Sequence, residues 1–83
     1  MTTLGKLRIR GIVRRDGEPL EGAYLTLNRG DEFIAERRTG PDGVYEFHTS
    51  PGDWVVICRT SGADAVRWEV ASDGGELEAN FDL

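Results

Sequence analysis

Residues 11–27 read GIVRRDGEPLEGAYLTL, and this stretch decides the fold class. Apolar and polar residues alternate on both sides of a polar turn that carries Asp16-Gly17 and then Pro19. Alternation buries one face of a strand, and an Asp-Gly step supplies the positive φ that a tight hairpin turn needs. The stretch therefore predicts two β-strands joined through a hairpin turn.

The same pattern recurs along the chain and predicts an all-β fold. The seven predicted strands are residues 6–14, 21–28, 32–38, 43–49, 53–60, 64–71 and 76–82. Gly, Asp and Pro separate them, and no stretch has apolar residues at helical spacing. Short strands with one apolar face are typical of a two-sheet sandwich. We expect one domain over residues 1–83, with a flexible N-terminus at residues 1–5.

Period-two alternation also separates a core from a surface. The residues predicted to point inward are Leu7, Ile9, Val13, Ala23, Leu25, Leu27, Phe33, Ala35, Tyr45, Phe47, Trp54, Val56, Cys58, Val66, Trp68, Val70, Leu77, Ala79 and Phe81. The apolar residues left on the outward side are Ile12, Tyr24, Ile34, Val44, Val55 and Ile57. Val55 and Ile57 share one face of one strand, and a contiguous exposed apolar patch usually marks an interface.

Composition narrows the range of partners. The chain has 83 residues and a net charge of −5, which argues against nucleic acid, because phosphate binding needs clustered Lys and Arg. The N-terminal residues 1–6, MTTLGK, contain no apolar run, so we expect neither a signal peptide nor a membrane span and infer a cytoplasmic location. The single cysteine, Cys58, excludes an internal disulfide and gives no metal-ligand spacing.

Three segments carry a family resemblance. Residues 11–27, residues 39–47 (TGPDGVYEF) and residues 50–56 (SPGDWVV) resemble carboxypeptidase regulatory-like domains. More narrowly, GAYL at 22–25, DEFIAE at 31–36 and PGDW at 51–54 are similar to a small stand-alone actinobacterial family of unknown function. Its members are often encoded beside thiosulfate sulfurtransferases.

The resemblance implies a transthyretin-like Greek-key sandwich in which the first and last strands are neighbours. Arg8 and Arg10 could then face Glu76, Glu78 or Asp82 across adjacent strands. It also implies a sulfur-transfer enzyme as a plausible partner.

The residues give little support for catalysis. His48 stands alone on an outward strand face, where a surface role is the ordinary one. Lys6 and Asn80 could in principle form an isopeptide bond, but alternation turns both away from the apolar setting that this reaction needs. Cys58 lies in the inward register, where it acts as a small hydrophobe. Trp54 and Trp68 are inward as well, which favours core packing over sugar stacking.

The sequence therefore predicts a non-catalytic accessory module with no cofactor, no metal and no catalytic residue. We expect it to bind a protein partner, or a second copy of itself, through Val55 and Ile57, with Tyr24 and Ile12 as further contacts and Arg8, Arg10 and Arg59 as a charged rim. A partner strand added at an open sheet edge is another possible mode. Two alternatives stay open: a module that binds carbohydrate or calcium through the loops at one end, and a sulfur-handling protein that works through Cys58.

Overall fold

A computed structural model describes residues 6–62 and 64–83, so the expected flexibility of residues 1–5 lies outside the described residues. The described residues form nine strands and no helix. The strands are β1 (Leu7–Arg15), β2 (Glu18–Pro19), β3 (Tyr24–Arg29), β4 (Glu32–Arg38), β5 (Val44–Thr49), β6 (Gly52–Arg59), β7 (Val66–Ser72), β8 (Gly75–Glu78) and β9 (Phe81–Asp82). None of these residues lies in a helix long and apolar enough to cross a membrane.

The strands form two sheets, which confirms the predicted all-β sandwich. In the five-stranded sheet, β1 pairs with β2 and β5 along one edge and with β8 and β9 along the other. The four-stranded sheet has the order β4-β3-β6-β7, with antiparallel neighbours throughout. β8 and β9 run parallel to β1, so the first and last strands are neighbours as the resemblance implied.

The turn at Asp16-Gly17 has the predicted geometry, but it joins β1 to the two-residue strand β2, and the second strand of the predicted hairpin, β3, belongs to the other sheet. Arg15 pairs with Glu18, and the two residues between them, Asp16 and Gly17, have φ values of 54° and 83°. Positive φ at both central positions gives the turn a twist that matches the right-handed twist of its strands.

The structure has two strands more than the seven predicted: β2 lies in the segment predicted as a turn, and the last predicted strand is divided into β8 and β9. Between β8 and β9 the backbone N–H of Ile12 donates to the side-chain Oδ1 of Asn80 at 2.9 Å, while the N–H of Ala79 donates to the carbonyl oxygen of Arg10. A side chain thus replaces a backbone partner at this point, and the regular ladder is interrupted. Asn80 was expected to point to solvent, and its structural role could not be inferred from alternation.

The core lies between the sheets and contains most of the residues predicted to be inward. The buried apolar residues are Leu7, Ile9, Val13, Ala23, Leu25, Leu27, Tyr45, Phe47, Trp54, Val56, Cys58, Val70, Ala79 and Phe81. Three residues predicted to be inward are exposed instead, namely Phe33, Val66 and Trp68. Phe33 points outward because of a β-bulge in β4. Val66 and Trp68 point toward the other sheet, but that sheet covers this side of the sandwich incompletely.

Candidate functional site

The residues predicted to bind a partner lie on two opposite outer faces of the sandwich. The outer face of the four-stranded sheet, which we call the β6 face, carries Tyr24, Val55, Ile57 and Arg59. The outer face of the five-stranded sheet, which we call the β1 face, carries Arg8, Arg10 and Ile12. The prediction that Arg8 and Arg10 form a rim around Val55 and Ile57 is therefore wrong. Alternation separates inward from outward residues, but it does not say to which sheet a strand belongs.

Val55 and Ile57 lie in the middle of the β6 face. They alternate on β6 with the buried residues Trp54 and Val56, and both are half-buried. Because β6 pairs with β3 on one side and with β7 on the other, a partner can reach the exposed atoms of Val55 and Ile57 only from the outer side of the sheet. A strand in this position presents side chains rather than main-chain groups to a partner.

A β-bulge in β4 adds an aromatic ring to the same face. Leu27 pairs with Ala35, but the next residue of β3, Asn28, pairs with Phe33, so Ile34 is the extra residue. The inserted residue reverses the side of the sheet to which Phe33 belongs. Phe33 is 54% exposed, and it lies in one row with Asn28 and Val55. Strict alternation placed this ring in the core, and the adjacent apolar pair Phe33-Ile34 was the signal that could have revealed the irregularity.

One end of the β6 face is basic. Tyr24 on β3 pairs with Arg38 on β4 and with Arg59 on β6, so the three side chains form a cross-strand row. The Arg38 guanidinium carbon lies 5.1 Å from the centre of the Tyr24 ring, a distance at which a cation–π attraction operates. Within residues 6–62 and 64–83 the salt bridges involve Arg8 and His48, and neither Arg38 nor Arg59 has a carboxylate partner.

The other end of the β6 face is acidic. A shallow cleft of about 360 Å³ opens beside Val55, and its lining includes the carboxylate residues Asp53 and Glu69 together with Ala71. The β6 face therefore has apolar residues in its middle, two arginines at one end and two carboxylates at the other, with Glu36 and Arg67 in the same cross-strand row as Ile57. Such an arrangement can fix the orientation of a partner as well as hold it.

The β1 face carries a cross-strand lattice of charges. Arg8 forms a salt bridge with Glu76 on β8, and Arg10 lies in register with Glu78 on β8 and with Glu46 on β5. These pairs confirm that the basic first strand faces the acidic C-terminal segment. Most charges on this face thus have a neighbour of opposite sign. Fewer charged side chains are therefore available to pair with a partner here than on the β6 face.

His48 also lies on the β1 face. Its Nε2 is in contact with the Glu46 carboxylate two residues earlier on the same strand, and the side chain is exposed. This is an exposed contact between neighbouring side chains of one strand.

Cys58 is buried in the core, as its inward register predicted. The residue is 1% exposed, and burial raises the pKa of its thiol above the ordinary value. A sulfur carrier needs a reachable thiolate, because the thiolate is the nucleophile. The geometry therefore gives no support to sulfur transfer through Cys58.

The carboxylates of the turns do not converge on one site. Asp31 and Asp73 follow strand ends near the start of β1, whereas Asp16 and Asp42 lie at the opposite end of the sandwich. Among the described residues, no three His, Cys, Asp or Glu side chains come close enough to hold a metal ion. The loop carboxylates accordingly offer no preformed calcium site in the described part of the chain.

The two tryptophans differ in environment. Trp54 is buried, its Nε1–H donates to the carbonyl oxygen of Ser50 at 2.9 Å, and the Arg29 guanidinium lies over its ring. Trp68 is 38% exposed and packs edge-to-face on Phe81, with ring centres 5.9 Å apart. Only Trp54 is the core residue that alternation predicted.

Comparisons with known proteins identify the fold more clearly than a function. No functionally curated protein matches the sequence. Among solved structures, the dioxygenase domain of a dioxygenase–carbohydrate-binding protein fusion from the cellulolytic bacterium Streptomyces sp. SirexAA-E has a TM-score of 0.76 at 18% identity, over 99% of this chain and 81% of that one. Chlorocatechol 1,2-dioxygenase from Pseudomonas putida has a TM-score of 0.75 at 14% identity, over 95% of this chain and 60% of that one.

A DUF3823 family protein from Parabacteroides merdae is also similar, with a TM-score of 0.63 at 18% identity, over 96% of this chain and 46% of that one. At these identities the likeness concerns the sandwich fold alone. A family model described as "Protein of unknown function (DUF1416)" matches residues 3–81. The chain is thus a small β-sandwich domain that belongs to the DUF1416 family of proteins of unknown function.

Proposed function

We propose that this protein is a non-catalytic module of the cytoplasm that binds a partner protein through the β6 face. The observation that carries the proposal is the position of Phe33, because the β4 bulge brings this exposed ring onto the face that already holds Val55 and Ile57. Aromatic residues surrounded by smaller apolar contacts are typical of the centre of a protein interface.

The charges at the two ends define the partner that fits. Arg38 and Arg59 form no salt bridge among the described residues, so an acidic group of the partner would gain two guanidinium contacts there. The cleft beside Val55, with Asp53 and Glu69, suits a basic side chain. The partner surface should therefore be apolar in its middle, acidic at one end and basic at the other.

The similarity of residues 22–25, 31–36 and 51–54 to the actinobacterial family makes a thiosulfate sulfurtransferase the first candidate partner to test. In this proposal the module assists the enzyme by contact and takes no sulfur itself, because Cys58 is buried. Labelling of the native protein with a thiol reagent checks this part. Cys58 should react only as fast as the domain opens, whereas labelling at the rate of an exposed thiol would restore the sulfur-handling alternative.

Affinity capture from a lysate of the source organism tests the interface. The variant Val55→Glu/Ile57→Glu should lose the captured partner, because it places two charges in the apolar middle of the β6 face. Val44→Glu is the matched control, since Val44 is a half-buried valine on the β1 face.

The two variants distinguish the β6 face from the β1 face as the binding site. A partner that is lost with Val55→Glu/Ile57→Glu and kept with Val44→Glu supports the β6 face. A partner that is lost with Val44→Glu alone would move the site to the β1 face. Circular dichroism of each variant confirms that the comparison is between folded proteins.

A further inference from the structure

The outer edge of the four-stranded sheet is formed by β7, a long strand with neither a bulge nor a proline. Among the described residues, β7 pairs with β6 alone, so the N–H and C=O groups along its other side have no strand partner. β7 runs over seven residues without a bulge in its pairing with β6. Such an edge is a ready template for another strand.

The other edges differ from β7, whose two charged residues, Arg67 and Glu69, have opposite signs. β4 is interrupted by the bulge at Ile34 and ends in two arginines. β8 has four residues, two of which are glutamates, and β2 consists of two residues that include Pro19. Bulges, charges, short length and proline all discourage edge pairing. β5 also pairs with β1 alone, but its inward residues Tyr45 and Phe47 are buried, so its edge offers no exposed apolar side chain. β7 differs from all of these edges.

The inner face of β7 is also exposed at this edge. Val66 is 40% exposed and Trp68 is 38% exposed, although their pairing with Cys58 and Val56 turns both toward the space between the sheets. The Trp68 ring packs edge-to-face on the Phe81 ring, and this contact positions it. Apolar side chains presented beside an unpaired edge are suited to a strand that extends the sheet.

The sequence of β7 is self-complementary in one antiparallel register. Two residues that lie opposite each other in paired strands point to the same side of the sheet. Apolar residues of β7 therefore lie opposite apolar residues of the second strand only when the two-fold axis passes through a residue and not between two residues. A register centred on Trp68 places Arg67 opposite Glu69 of the other strand, twice by symmetry, and Val66 opposite Val70. A register centred on Arg67 or on Glu69 places like charges directly opposite each other, which is destabilising.

We propose that the free edge of β7 pairs antiparallel with β7 of a second copy of this chain, with the two-fold axis at Trp68. The two four-stranded sheets then form one continuous sheet across the dimer. Arg67 and Glu69 make two symmetric ion pairs on the outer side, and the two Trp68 rings meet on the inner side. This contact is isologous and closes on itself, so it forms a dimer and no fibre. It shares Glu69 with the acidic end of the β6 face but does not require the partner proposed there.

Charge reversal tests the register. Sedimentation velocity from about 10 μM to about 1 mM should show a concentration-dependent monomer–dimer equilibrium. Arg67→Glu alone and Glu69→Arg alone each put like charges opposite each other at two symmetric positions, and each should weaken self-association at least about tenfold.

The double variant Arg67→Glu/Glu69→Arg restores opposite charges and should recover the wild-type dimer. An equimolar mixture of the two single variants should form a heterodimer, because one then carries two glutamates and the other two arginines. Two results would overturn the proposal: a protein that stays monomeric up to about 1 mM, or a dimer that neither single reversal weakens.

The variant Phe33→Glu separates the two proposals, because β4 lies at the opposite edge of the four-stranded sheet from β7, whereas Val55 and Ile57 pair directly with Glu69 and Arg67. This variant should dimerise like the wild type while losing the partner of the β6 face. If it becomes monomeric and the Arg67 and Glu69 variants do not, the copies associate through the β6 face and the β7 pairing is wrong.

A disulfide at the axis tests the position of Trp68. In an antiparallel pair the Cα atoms of facing residues lie about 4.5–5.5 Å apart, within the range that a disulfide spans. Trp68→Cys in a Cys58→Ala background should therefore form a covalent dimer on mild oxidation, whereas Arg67→Cys in the same background should do so far more slowly. Equal rates for the two variants would contradict this register.

Discussion

Tyr45 lies directly across from Gly11 in the β1–β5 pair, and its hydroxyl donates a hydrogen bond to the carbonyl oxygen of Ala79. The ring thus covers the inner side of Gly11 and connects β5 to the segment between β8 and β9. A side chain on Gly11 has no room, because a Cβ there would lie 1.8 Å from the Ala79 oxygen and 3.0 Å from the Tyr45 ring. The glycine in the first strand is therefore required by a close backbone approach.

Gly11→Ala should destabilise the domain strongly, since the clash is with backbone that cannot rotate away. We expect a loss of about 2–4 kcal/mol in the free energy of unfolding. Gly17→Ala is the control, because Gly17 has open space around it and a φ of 83°, so only the left-handed strain of about 1 kcal/mol applies. Urea unfolding measures both variants, and equal losses would show that the Ala79 contact is not tight.

Thr39 joins the two turns that precede β3 and β5. Its hydroxyl accepts a hydrogen bond from the N–H of Ala23 at 2.9 Å and donates one to the carbonyl oxygen of Leu20 at 2.6 Å. Thr39→Val keeps the shape of this buried side chain but leaves both backbone groups without their partner, which should cost about 1–3 kcal/mol. Thr39→Ser retains the hydroxyl and should lose less. A valine variant as stable as the serine variant would mean that water replaces these hydrogen bonds.

Alkaline pH should unfold the protein through two buried acids. Burial raises the pKa of Tyr45 above its ordinary value of 10.0, with a smaller contribution from Cys58, and burial likewise raises the pKa of the Cys58 thiol above 9.0. The unfolded chain releases these protons when the pH reaches the ordinary pKa values, whereas the folded protein retains them to higher pH. The free energy of unfolding should therefore fall as pH rises above about 9 and fall more steeply above about 10.

The Tyr45→Phe variant isolates one of the two groups. Its stability at neutral pH is lower because the hydrogen bond to Ala79 is lost, but the steeper decline above about pH 10 should be reduced. Urea midpoints at a series of pH values measure the slope for the variant and the wild type. An unchanged slope would mean that the buried tyrosine does not control the alkaline transition.

The hairpin and the strands were predictable from the sequence because they depend on local rules. Asp16-Gly17 sets a turn through its backbone conformation, and Val55 and Ile57 are outward because their neighbours on β6 are buried. These rules act over a few residues. They need no knowledge of what lies across the sandwich.

Other features depend on contacts between distant segments and could not be predicted in this way. Trp68 has an inward register but remains partly exposed, because burial depends on how far the opposite sheet extends over β7. Arg8 and Val55 are both outward, yet they lie on opposite sides of the domain, because face membership follows the topology of the two sheets. Phe33 changed faces through a single inserted residue.

Side-chain oxidation footprinting of the captured complex tests the central claim most directly. Phe33 is the reporter on the β6 face, since this residue is 54% exposed in the domain alone. Trp68 serves as the internal reference. The experiment uses about 1 μM protein, a concentration at which we expect no pairing of β7 between copies, so self-association does not alter the reactivity of Trp68. We expect the partner to protect Phe33 and Tyr24 while Trp68 and Ile12 keep their reactivity. Protection of Ile12 with Phe33 unchanged would contradict this expectation, because the partner would then bind the β1 face.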